Sequence, residues 1–145
     1  MTKKELKEIG RLIKKLETKV YIPMSADLFH IGHLRAIKQC AEKGSVYVGL
    51  LTDRLMREYK GEPIIPFKQR KEILEGISEV HKVIEQDSLT PNLEGMTYLA
   101  SGDGFEKDEL KALGKCKLLK LKYCKEQSTT KIKEKIANGR IKIVV

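Results

Sequence analysis

The stretch KVYIPMSADLFHIGHLRAIKQCAEKGSVYVGLLT, residues 19–52, decides the fold. Lys19–Met24 is rich in apolar and β-branched residues and reads as a strand. Ser25-Ala26-Asp27 follows as a turn. From about Ile31 to Lys43 the chain reads as a helix, stopped by Gly44. Ser45–Thr52 is nearly all apolar, as suits a strand buried on both faces of a parallel sheet.

The alternation extends both ways. Upstream, Leu6, Ile9, Ile13 and Leu16 recur at helical spacing, so residues 1–17 form a leading amphipathic helix that either serves an interface or covers the sheet. Downstream, Gly61, Pro63 and Pro66 mark a turn before a helix over Phe67–Ile77. Strands follow at Val80–Ile84 and Thr97–Ser101, a helix at Lys107–Leu113 up to Gly114, and a fifth strand at Lys117–Leu121. Thr129–Ala137 reads as a last helix, stopped by Asn138-Gly139, with Ile141–Val145 as a terminal strand. No repeat or low-complexity linker interrupts residues 1–145, which read as a single α/β domain: a doubly wound parallel sheet of about five strands. In such sheets ligands sit beyond the carboxyl ends of the strands, where strand order reverses.

Composition narrows the function. The chain has 145 residues, 41% apolar and 34% charged, normal for a globular domain. Its charged beginning and the lack of a long apolar run predict a cytoplasmic protein with no membrane partner. Three cysteines without a CxxC spacing predict neither a disulfide framework nor a structural metal. The net charge of +9 suits nucleic acid, anionic membranes and polyphosphates alike. The absence of tryptophan and of any RNA-binding motif argues against nucleic acid.

Chemistry concentrates in His30-Ile31-Gly32-His33. From the composition alone this pattern arises roughly once in two hundred such chains. It also falls where a strand feeds a helix, so free backbone N–H groups and the helix dipole favour a bound anion. Gly32 would let a phosphate approach the backbone, and two imidazoles can donate to one phosphate group.

With Met24-Ser25-Ala26-Asp27-Leu28-Phe29 before it, this motif resembles the first loop of the HxGH nucleotidyltransferases, and within them the cytidylyltransferases. The resemblance covers about residues 19–136. Gly49–Asp53 looks like the end of that family's second strand, Lys60 like a phosphate-binding lysine, and Gln69-Arg70 like its arginine position. Gly102-Asp103 looks like the start of its G-D-D-W segment, and Ser128–Ile132 like the end of its R-T-x-G-I-S-T-T motif. VYIPMSADLFHIGH, GLLTD, YKGEPIIPFKQRKEI, PNL and Tyr123 are most similar to the cytidylyltransferase domains of phosphonate pathways. The chain departs from the pattern at Gly104 and Phe105, at Glu126-Gln127, and by about two residues between Leu93 and Thr97.

The resemblance implies a Rossmann-like fold and transfer of CMP from CTP, with Mg2+, to a small phosphonate or phosphorylated alcohol. It implies that His30, His33, Lys60, Ser128 and Thr129 are catalytic. Met24, Ser25, Ala26, Asp27, Gly32, His33, Asp103, Ser128, Thr129 and Thr130 would hold the nucleotide, with Asp103 accepting from the cytosine amino group and Asp27 contacting metal or nucleotide. Lys60, Arg70, Tyr123 and Glu126 would hold the acceptor, Arg70 by a bidentate fork. Many members are dimers, so a homodimer is expected. Three alternatives stay open: an adenylyltransferase similar to the archaeal FAD synthetases, a basic RNA-binding module, and a catalytically retired scaffold.

Overall fold

In the computed structural model, which describes residues 1–139, β1 (Lys19–Met24) and β2 (Ser45–Leu51) lie parallel, with Tyr21 opposite Tyr47 and Met24 opposite Leu50. Helix α2 (Ile31–Lys43) makes the crossover between them. β3 (Val80–Gln86) pairs with the far side of β2. β4 (Tyr98–Ser101) returns to the free side of β1, and β5 (Lys117–Lys120) adds beyond it. All four pairings are parallel, and the order is β3-β2-β1-β4-β5. The order therefore reverses between β1 and β4, and a crevice is expected at their carboxyl ends.

The period-two alternation of β1 divides the core. Val20, Ile22 and Met24, with Val46, Val48 and Leu50 of β2, pack against Ile37 and Cys40 of α2 and Leu74 of α4 (Phe67–Glu75). Tyr21 and Leu99 face the other way, onto Leu93 and Cys116, beside Ala112 and Leu113 at the end of α5 (Lys107–Lys111). Tyr21 crosses β2 at Gly49, where an added Cβ would sit 2.0 Å from its hydroxyl oxygen. That gap lets the phenol donate to Gln86 Oε1 at 2.6 Å.

Several sequence expectations shift by a residue or two at element ends, as frayed termini usually do. A larger difference is α3 (Asp53–Tyr59), a helix in a stretch to which the sequence reading assigned no element. Thr52 caps it, its hydroxyl accepting from the Leu55 N–H at 3.1 Å. Helix α1 (Lys3–Glu17) opens with a Thr2/Glu5 capping box but buries none of its residues, so it does not cover the sheet. Helix α6 (Thr129–Ala137) closes the described chain, and the expected strand at Ile141–Val145 lies outside the described residues. Among those described, no helix is long and apolar enough to cross a membrane.

Candidate active site

The loop from β1 into α2 holds the two histidines in a fixed relation. His30 is the N-cap of α2; its Nδ1 accepts from the Gly32 N–H at 3.0 Å, while the His30 N–H donates to His33 Nδ1 at 3.1 Å. The rings lie 3.9 Å apart, centroid to centroid. With both Nδ1 atoms accepting, each neutral imidazole carries its proton on Nε2. Burial lowers the pKa of His30. It drives that of His33 down to about 4, helped by the positive charges of His30 and Lys60 and opposed by Asp27. At neutral pH the pair is thus two uncharged Nε2–H donors.

Gly32 has a different role from the one read in sequence. A Cβ there would lie 2.7 Å from His30 Cε1 and 3.0 Å from its Nδ1. The vacancy accommodates the His30 ring folded back over the helix start. The same Cβ would be 3.3 Å from the Gln127 carbonyl oxygen, so the chain entering α6 abuts the start of α2. Two helix N-termini converge, and the positive ends of both helix dipoles favour an anion there. Ser128 caps α6 by accepting from the Lys131 N–H at 3.1 Å, leaving its hydroxyl proton free. Thr129 instead donates its hydroxyl to the Asp27 carbonyl at 2.8 Å, docking α6 onto the first loop, and Thr130 is exposed beside it.

Several expected ligand contacts are corrected by the geometry. Asp27 is 1% exposed, and its two oxygens accept from the backbone N–H groups of Ile64 and Ile65 at 3.0 and 2.9 Å. It clamps the 61–66 turn rather than presenting a carboxylate to metal or nucleotide. Arg70 is fully buried. It donates to the carbonyls of Ile65, Ser25 and Leu51 at 2.8, 2.6 and 2.9 Å, and to Asp53 Oδ1 at 2.7 Å. A guanidinium so engaged has no fork left for a phosphate; it ties the ends of β1 and β2 together. Asp53 also accepts from the Phe67 N–H. Burial opposes its charge, but the Arg70 and Phe67 bonds outweigh that and hold its pKa below the ordinary value. Glu126 is paired with Arg35 of α2 at 2.7 Å on the exposed surface, and Tyr123 is 53% exposed nearby. Neither lines the crevice described next.

At the carboxyl ends of β1, β2 and β4 lies a cavity of about 380 Å³, bordered by Met24, Lys60, Asp103 and Glu109. Met24 is buried at the end of β1, and Ala26 beyond it is buried with φ of 50°, a left-handed turn within the loop. Asp103 is exposed at the mouth, its Oδ1 accepting from Ser101 at 3.2 Å. Lys60, the C-cap of α3, is the link between histidines and cavity: its charge acts on both His33 and Glu109. Sequence reading missed Glu109 and the Tyr21–Gln86 pair, and it gave Asp53 no partner. Among the described residues no group of three His, Cys, Asp or Glu side chains could hold a metal. The residues therefore do not form a magnesium cage, and Asp27 does not fit the ligand role expected of it.

A family model described as cytidylyltransferase-like matches residues 21–135. The chain is 27% identical over 91 residues to a FAD synthase of Archaeoglobus fulgidus, a match covering 59% of this chain and 66% of the relative, just under two thirds of its length. The crystal structure of a lipopolysaccharide core biosynthesis protein from Thermoplasma volcanium superposes with a TM-score of 0.65 at 22% identity, covering 74% of this chain and 98% of that one. At that identity the likeness shows the shared fold.

Proposed function

Because the chain belongs to the cytidylyltransferase-like family, we propose that it transfers CMP from CTP to a small phosphonate, or a phosphomonoester, and releases pyrophosphate. The observation that carries this reading is the pair of neutral Nε2–H donors held over two converging helix N-termini. An acceptor oxyanion attacks the α-phosphorus in line, and the bond to pyrophosphate breaks as the new P–O bond forms. Charge on the pentacoordinate α-phosphate grows in that transition state, and preorganised donors stabilise it most there. His30 and His33 supply two such donors without the desolvation cost of an imidazolium. Ser128 and the first N–H groups of α6 receive the β- and γ-phosphates. Lys60 balances the acceptor's oxyanion beside His33. Among the described residues no cluster of this chain's own side chains would cage a magnesium ion; an ion carried in by the triphosphate would supply charge neutralisation on the phosphates. Asp103 accepts from the cytosine amino group at the cavity mouth. Arg70 and Asp27 position these groups without touching the substrates.

Adenylyl transfer is the second reading, favoured by the similarity to a FAD synthase. The two are separated by pyrophosphate release from a panel of nucleoside triphosphates with magnesium, tested against phosphonates and phosphomonoesters. CTP is expected to give the highest kcat/KM. ATP outperforming CTP would overturn the cytidylyl reading and leave nucleotidyl transfer standing.

A further inference from the structure

The cavity bordered by Lys60, whose charge also acts on His33, has the wrong charge for a substrate that is only anionic. Among the described residues its wall carries four carboxylates (Asp103, Glu106, Asp108 and Glu109) against one ammonium, Lys60. Glu109 stands out among the four because it is 9% exposed, whereas carboxylates are rarely buried without a partner. Its Oε1 accepts from the Glu106 N–H at 2.9 Å, closing a capping box at the start of α5. Nothing among the described residues donates to its other oxygen, which is left to the cavity. Burial pushes its pKa above the ordinary carboxylate value, and the neighbouring acids Glu106 and Asp103 add to that; the Glu106 N–H and Lys60 pull the other way. The charge is thus held in a place that disfavours it, and a cation arriving there would relieve it. Tyr59, also on the wall, adds an aromatic ring, a surface that attracts ammonium groups.

Resting on the nucleotidyl-transfer reading above, we propose that Glu109 selects the acceptor by binding a primary ammonium on its tail. The acceptor is a zwitterion: its oxyanion lies by Lys60 and His33, and its ammonium donates to the free oxygen of Glu109, with Asp108 and Tyr59 beside it. A neutral hydroxyl in the same place leaves the buried carboxylate without a charged partner, so it binds more weakly.

The test is calorimetric titration of the full chain, with a non-hydrolysable CTP analogue and magnesium present. The ligands are 2-aminoethylphosphonate and its isostere 2-hydroxyethylphosphonate, and in a second pair phosphoethanolamine and ethylene glycol phosphate. The amine is expected to bind about ten- to a hundredfold tighter than the hydroxyl, the range for a hydrogen bond to a charged group. In Glu109→Gln that preference should fall below about threefold, chiefly through weaker binding of the amine. Glutamine keeps the length and an oxygen for the Glu106 N–H, and a melting curve checks that the variant is folded; the ligand comparison in the unaltered protein does not depend on it. Equal or tighter binding of the hydroxyl compound, no binding of either pair, or an amine preference that survives in Glu109→Gln would overturn the assignment. An amine preference seen only with the phosphomonoesters would uphold Glu109 and overturn the phosphonate acceptor.

Discussion

Acid should weaken this fold through His33 in particular. In the unfolded chain that imidazole takes up a proton near pH 6.5, whereas in the folded protein burial and the nearby positive groups hold it neutral down to about pH 4. Between those values the unfolded state binds more protons, so stability falls as the pH falls through that window and levels off below it. At about 1.4 kcal/mol per pH unit, the whole window is worth at most about 3 kcal/mol, of which about 2 kcal/mol is lost by about pH 5. His33→Asn isolates this contribution. The asparagine Oδ1 can accept from the His30 N–H as Nδ1 does, but it does not titrate. Urea unfolding of both proteins at about pH 7.5 and pH 5 should show the unaltered protein losing about 2 kcal/mol more than the variant. Carboxylates that protonate in the same range affect both proteins alike and cancel in the difference. Equal losses would refute the argument and show that His33 is solvated enough to titrate normally.

Gly32→Ala should lower kcat by about 10- to 1000-fold with little change in melting temperature, because the new methyl displaces the His30 ring rather than the helix; unchanged turnover would mean the ring position is immaterial. Arg70→Met should cost about 3–5 kcal/mol in urea unfolding, since it removes a buried charge whose partners are left unpaired; a loss below about 1 kcal/mol would show that the strand ends hold without it.

The strand–helix alternation was legible because each element carries its own pattern, and the five parallel strands follow it. The histidine motif was legible for a similar reason: its residue types, its glycine and its place after a strand are all local. Arg70 was misread because what consumes it is invisible in a sequence. Its acceptors are main-chain carbonyls of Ser25, Leu51 and Ile65, which any residue would supply. Asp27 was misread in the same way, through the N–H groups of residues 64 and 65. Helix α3 was passed over because DRLMREY is mostly charged, and only Leu55 and Met56 turn inward. Glu109 sits in the run EKDELK, where nothing in the spelling marks which acid faces a cavity.

The two clamps leave the side chains around the candidate site unusually free to change. Arg70 and Asp27 grip the loops almost entirely by peptide groups, so replacing the side chains of Ser25, Leu51, Ile64 or Ile65 leaves those five bonds available. The frame around the histidines and the lining of the proposed acceptor cavity are therefore separable parts. If the proposed acceptor role of that cavity holds, a library that varies Tyr59, Asp108 and Glu109 while keeping Asp27 and Arg70 fixed would retune the acceptor without rebuilding the loop around the histidines.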